Sequence, residues 1–357
     1  MPQGGFAGEQ QDGGVMVRPL FARIREIAVP AAGFLKRVAL LPRCLFLTGC
    51  ELEIHDRGGG LAASGAYVGE GLSLPYFRRL YGSPTSRTRL IPLWALPRFI
   101  RSARKRSDIV LVELNALLAA LFRGACAISE AWIRQVTRLD GDCYLHRVRG
   151  IHRGWGQQVR RQGFEYRITQ SESDLQRFYD EFYVPYAQAR HGEDASIRGL
   201  SELKAALRRG FLLQVWQQDR WISGLVVARR HDRLELLAAG ADSPDELRKG
   251  GLSALYFFLF LWARQAGIEA IDFCGSRPNL LDGVFHHKAL WGAEPVLDTW
   301  HHTKIAFYVK PGVRLPEVVA SQLVTTGGRF FPLGEILSDR HPGLDHPPRL
   351  RGLANLR

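Results

Sequence analysis

The sequence is poor in lysine. Only Lys36, Lys105, Lys204, Lys249, Lys288, Lys304 and Lys310 occur in 357 residues, and arginine supplies nearly all the other positive charge. Base composition alone can produce such a bias, so it names no function. Cysteine is also sparse. Cys44, Cys50, Cys126, Cys143 and Cys274 are odd in number and form no CxxC pair or zinc pattern. Buried free thiols in a reducing compartment are the plain reading, for Cys274 as for the rest. No P-loop, HExxH or GxSxG occurs, and no metal is expected. The longest apolar run, 252–263, is too short to span a bilayer and fits a buried helix. Residues 1–15 are rich in Gly and Gln without an apolar run. They read as a disordered tail rather than a secretory leader, and a cytoplasmic location is expected.

What is present suits a folded α/β protein. Hydrophobic residues make up 46% and charged residues 23%, with a net charge of +13. The length suggests two lobes of ordinary size. A basic surface favours anionic partners such as nucleotides, phosphates, RNA or anionic lipid. The stretch 17–41 mixes Leu, Ile, Val and Phe with Arg18, Arg23, Arg25, Lys36 and Arg37. It suits peripheral membrane contact or a helix packed on the protein, and Pro30 and Gly33 interrupt any long helix there.

The N-terminal half, 16–145, has mixed patterning. Strands are expected at 44–48, 51–55 and 61–68, with a turn at 56–60, and a basic helix at 96–106. A buried strand follows at 108–113, then a helix capped by Asn115 and stopped by Gly124. In the second half, a basic helix 152–162 ends at Gly163, and 166–169 is a short strand. Ser173 to Gln176 has the form of a capping box, before Leu175, Phe178, Tyr179, Phe182 and Tyr183 at helical spacing. Ser201 opens a short helix. Strands 211–217, 221–230 and 234–241, joined by short polar links, form an antiparallel meander. A Gly-rich turn leads into helix 252–266, then strand 268–274, a helix near 281–290 and strand segments near 295–309. Little order is expected beyond 338. Trp216, Trp221 and Trp262 fit core positions.

The strongest local signal is Arg248-Lys-Gly-Gly251-Leu-Ser253, between a strand and a helix. Glycines admit close backbone approach, and the unpaired N–H groups of a helix start can hold a pyrophosphate. A plain loop is the competing reading.

In this context the segment resembles the Gln/Arg-x-x-Gly-x-Gly/Ala turn of the GNAT acyltransferase superfamily, with Ser253 in the last small position. The series Ile271-Asp-Phe-Cys-Gly-Ser276, Asp282-Gly283, His287-Lys288 and Trp291-Gly292 resembles the end of the Fem-type branch. Cys274 stands there for a glycine and His287 for a phenylalanine. The resemblance covers about 165 residues. It implies a mixed sheet with an antiparallel meander and flanking helices in 146–312. It also implies a degenerate second lobe of the same type before it, and a partly disordered extension at 313–357.

The resemblance further implies an N-acyltransferase that moves an acyl group from acyl-coenzyme A to an amine. The acceptor class would be a cell-envelope or polysaccharide precursor, or another small amine. Arg248, Gly250, Gly251, Leu252 and Ser253 would hold the donor. Lys288 would stabilise the oxyanion, and His287 or His286 would accept the amine proton. Two alternatives stay open. One is an aminoacyl-tRNA-dependent peptidyltransferase of the Fem type; the other is a catalytically silent binding protein. A DNA partner is not implied. The cluster Arg147, Arg149, His152, Arg153, Arg160 and Arg161 either grips an anion or forms a solvated helix face.

Overall fold

The computed structural model describes residues 34–56, 59–82, 87–122, 124–139, 154–192, 195, 197–243, 249–298 and 300–340. The expected tails 1–15 and 341–357, most of the stretch 17–41, Cys143, Arg147, Arg149, His152, Arg153 and Arg248 lie outside them.

Fifteen strands are described: β1 Phe46–His55, β2 Leu61–Gly69, β3 Arg89–Pro92, β4 Ile109–Asn115, β5 Ala127–Glu130, β6 Ile133–Arg138, β7 Phe164–Thr169, β8 Gly210–Gln217, β9 Arg220–Arg230, β10 Arg233–Ala241, β11 Ala270–Ser276, β12 Glu294–Leu297, β13 Thr303–Val309, β14 Leu323–Thr326 and β15 Arg329–Pro332. They form a six-stranded sheet in the order β3-β1-β2-β4-β13-β5 and a seven-stranded sheet in the order β12-β6-β11-β10-β9-β8-β7. The hairpin β14-β15 stands apart.

The seven-stranded sheet is the mixed sheet expected from the pattern. β7 to β10 form the antiparallel meander. The two-residue turns that join β8 to β9 and β9 to β10 carry Gln218 and His231 at positive φ. The helix Gly251–Gln265 then crosses over, and β11 lies parallel to β10. That helix buries Leu255, Leu259 and Ala263, with Tyr256 and Phe260, in one core with Leu225, Val227 and Ile271. The opposite face of the sheet packs on the segment 172–191. There a π-helical turn, Phe178–Tyr183, interrupts the α-helix, and Phe178, Phe182 and Tyr183 are buried. The segment seats closely because β9 and β10 offer glycines beneath it. A Cβ on Gly224 would lie 2.6 Å from the Phe178 ring, and one on Gly240 2.7 Å from the Phe182 backbone.

Several expectations are refined. The cap before Phe178 is Ser171, which accepts from the Asp174 N–H, not Ser173. The expected strands at 44–48 and 51–55 are one continuous β1 that starts at Phe46 and runs through Gly49, with Cys44 and Leu45 in the 3-10 turn before it. The segment after Asn115 is a short 3-10 turn, Ala116–Leu121, rather than an α-helix. The helix Leu74–Tyr81, β6 and the β14-β15 hairpin carried no clear pattern.

Sheet membership does not follow the division of the chain near residue 145. β6, from the first half, lies between β11 and β12, while β13, from the second half, lies between β4 and β5. A buried polar junction joins the lobes. Glu113 is fully buried and accepts from the Tyr67 hydroxyl, the Ser73 hydroxyl and, at 3.1 Å, the Ser73 N–H. Arg277, just past β11, donates to the Ser73 hydroxyl (2.9 Å) and the Ala131 carbonyl (3.0 Å). Its guanidinium lies 4.8 Å from the Tyr76 ring centre and 4.1 Å from that of Trp132, a cation between two π faces.

Candidate functional site

Parallel pairing of β10 with β11 stops after three residues, at Glu235 and Asp272. Two irregularities accompany the stop. β10 shifts register against β9 between Leu236 and Ala238, and β11 shifts against β6 between Asp272 and Gly275. The C-terminal halves of two neighbouring strands are therefore unpaired with each other, and a wedge opens between them. Sheet irregularities of this kind re-aim side chains and end pairing next to functional sites.

The base of the wedge is fixed by a buried ion pair. Asp272 is 1% exposed and accepts from Arg134, whose guanidinium nitrogen is 2.7 Å away. Its other oxygen accepts from the Cys274 N–H at 2.8 Å, across a backbone bend that puts Cys274 at φ 61°. Burial, aided by the Asp272 charge, pushes the Cys274 thiol up to about 11. The thiol is therefore protonated near neutral pH, consistent with a structural cysteine.

The helix Gly283–Leu290 flanks the wedge. Asp282 caps it, its side chain accepting from the Val284 and Phe285 N–H groups. β6 anchors it from below: Gln135 donates to the Phe285 carbonyl and Thr137 to the Trp291 carbonyl. This places Lys288 against the end of β11, where Nζ donates to the Gly275 carbonyl at 2.7 Å and the Ser276 hydroxyl at 2.9 Å. Burial lowers the ammonium to about 8, against the pull of Cys274, Asp272 and Asp282. Two of three donors are used, so a third can meet a ligand oxygen.

The two histidines separate, as neighbours on a helix must. His286 is exposed. His287 is half-buried with its ring 5.2 Å from that of Tyr256, and its Nε2 is buried without a hydrogen-bond partner. Burial holds its imidazolium down to about 4, assisted by Arg190, Lys288 and His286. It is neutral at physiological pH and can accept a proton only as a weak base.

Arg198 was not marked by the sequence. Its Nε donates to the Leu237 carbonyl at 3.1 Å, within the unpaired half of β10, and its other end pairs with Glu202. Arg190 donates to the Tyr186 hydroxyl. No local pattern distinguishes these two from other surface arginines, yet the charge of Arg190 acts on His287 and that of Arg198 on Cys274.

The glycine turn adjoins the same region. Gly250 has φ 95°, which suits glycine, and it precedes the helix Gly251–Gln265 without a side-chain cap. Gly250 and Gly251 are buried, while Leu252 and Ser253 are half-buried. The helical segment 154–162 lies across the turn. Gln158 donates to the Lys249 carbonyl at 2.7 Å, and a Cβ on Gly250 would come within 2.9 Å of the Trp155 ring. The turn is thus shielded on that side, and its partly open positions are Leu252 and Ser253.

No family model matches this chain, and no curated protein matches it. Among solved structures it is similar to FemX, at 12% identity and TM-score 0.40, over 72% of this chain and 87% of that one. It is also similar to L-PGS from Bacillus licheniformis, at 12% identity and TM-score 0.34, over 71% and 82%. A GCN5-related N-acetyltransferase from Sphaerobacter thermophilus matches at 12% identity and TM-score 0.32, over 72% and 80%. At such values none of them transfers a donor, an acceptor or a residue role to this chain.

Proposed function

We propose that the chain is an N-acyltransferase that moves an acyl group from acyl-coenzyme A to an amine of a cell-envelope or polysaccharide precursor. The observation that carries this reading is the wedge between β10 and β11 with the Lys288 ammonium held at its side. The unpaired strand edges offer amide groups to an extended, amide-bearing chain such as that of coenzyme A. Arg190, Arg198 and Lys288 bring positive charge to the same opening, which suits phosphate and a developing oxyanion. Leu252 and Ser253 are the turn residues that would meet the donor, beside the shielded Gly250 and Gly251.

In this reading Lys288 stabilises the negative oxygen that forms as the amine attacks the thioester carbonyl. Because its ammonium is lowered to about 8, the same group can also exchange the amine proton near neutral pH. His287, held neutral, is the second candidate acceptor for that proton, and the exposed His286 is the third. An aminoacyl-tRNA donor fits the net charge as well, and the donors are told apart by assay.

Thiol release from acetyl-coenzyme A, measured over a panel of amines and set beside charged tRNA, tests the reading. Lys288→Ala should lower kcat by about 10²-fold or more while the affinity for coenzyme A changes little. Equal losses in both would make Lys288 a binding group only. Absence of coenzyme A binding by calorimetry, together with no release from any donor, would refute the assignment.

A further inference from the structure

The corner where β1 starts, β3 ends and the helix Leu96–Arg106 begins exposes large apolar side chains. Trp94 is 72% exposed, Leu90 71%, Phe46 57% and Leu45 51%. They form a patch. β1 and β3 pair with Phe46 opposite Pro92 and Thr48 opposite Leu90, so Phe46 and Leu90 share a sheet face. The Trp94 ring stands edge-on to Phe46, 6.2 Å away. β3 is the edge strand, so nothing in this sheet pairs beyond it. The opposite side chains, Leu47 and Ile91, are buried in the core beneath the helix, so the exposed set is no spill-over of a loose core.

The surroundings are cationic. From Gly71 to Ser107 the sequence has nine Arg and Lys residues and no Asp or Glu. Arg43, Arg87, Arg89, Arg98 and Arg101, which flank the apolar residues in sequence, are exposed. Solvated helix faces ordinarily mix both signs, and isolated surface leucines are ordinary too. An exposed Trp and Leu within a segment that carries nine cations and no carboxylate, with an exposed Phe and a second Leu beside them, is neither.

We infer that this corner docks on an anionic phospholipid surface, with Trp94, Leu90 and Phe46 entering the interface and the arginines meeting headgroup phosphates. A second copy of this chain is a poor occupant, because it would bring like charge to the contact. Single-stranded RNA would match the arginines but gain little from Leu45 and Leu90, which have no ring face to stack on a base. The inference does not depend on the transfer chemistry. The site lies outside the stretch 17–41.

The full-length chain is sedimented with vesicles of phosphatidylcholine alone and with vesicles about one-third phosphatidylglycerol. Partition onto the second is expected, and it should weaken as salt is raised. Two double variants, Trp94→Ser with Leu90→Ser and Arg98→Glu with Arg101→Glu, should each reduce partition by about tenfold or more. All four side chains are exposed, so unchanged melting temperatures confirm intact folds. Lipids brominated in the acyl chain should quench the unaltered protein more than Trp94→Phe. Equal binding to both vesicle types, partition unmoved by either double variant, or binding of RNA in place of vesicles would overturn the inference.

Discussion

At the scale of single residues, the half-buried histidine beside Lys288 makes a measurable statement about acid stability. His287 is held down to about 4, against an ordinary value of 6.5, by burial and by the cations Arg190 and Lys288. An unfolded chain takes up this proton near pH 6.5 while the folded chain refuses it until about pH 4. In that window the unfolded state holds more protons, so stability falls as pH falls. His287→Phe, which keeps a ring against Tyr256, should flatten part of the loss between pH 6.5 and 4. The gain at pH 4.5 is expected to be about 1–2 kcal/mol, read from urea unfolding at several pH values. His301 is held down to about 4 as well, mainly by burial, so a residual slope should remain. An unchanged profile would show that His287 is solvated in the protein.

At the scale of elements, close approach decides what the sequence could and could not say. The meander was legible because β8, β9 and β10 carry continuous apolar runs broken by two short polar turns. The crossover helix was legible from its apolar run and the glycines on either side. The Lys288 segment and the glycine turn were visible as motifs, and the structure sets both beside the wedge. The wedge itself was not legible, because it depends on where pairing between β10 and β11 stops, which no local pattern encodes. The π-helical turn was hidden for a related reason. Its buried residues, Phe178, Phe182 and Tyr183, have ordinary helical spacing, and its seat is Gly224 and Gly240, inside two strands. This seat gives a prediction. A Cβ on Gly240 meets the Phe182 and Tyr183 backbone at 2.7–2.8 Å, atoms that cannot rotate aside. Gly240→Ala should cost about 1–3 kcal/mol in urea unfolding. Gly283→Ala meets open space at the first turn of a helix and should change stability by no more than about 0.5 kcal/mol. Similar values for the two would mean that the 172–191 segment does not rest on β10.

At the scale of the whole molecule, each lobe holds a strand that the other half of the chain provides. β6 is an interior strand of the seven-stranded sheet, bonded to β11 on one side and β12 on the other, and it carries Gln135 and Thr137 that anchor the Lys288 helix. β13 is likewise interior to the six-stranded sheet, with β4 and β5 as neighbours, and Phe307 and Ile305 lie in the core there. A chain cut to 146–312 would lose β6, exposing edges on β11 and β12, and would leave β13 without partners. Unpaired strand edges invite association instead of folding. The isolated fragment should therefore lack a cooperative thermal transition and aggregate, whereas the intact chain should melt in one transition with calorimetric and van't Hoff enthalpies in agreement. Linked domains joined by a flexible tether behave differently, since each keeps its own core and its own melting step. Two separate transitions in the intact chain, or a soluble 146–312 fragment with a sharp melt, would show that the exchanged strands are peripheral to each sheet's stability. A single transition would also bear on the wedge, because the strand that holds the Lys288 helix would then report on the integrity of both lobes at once.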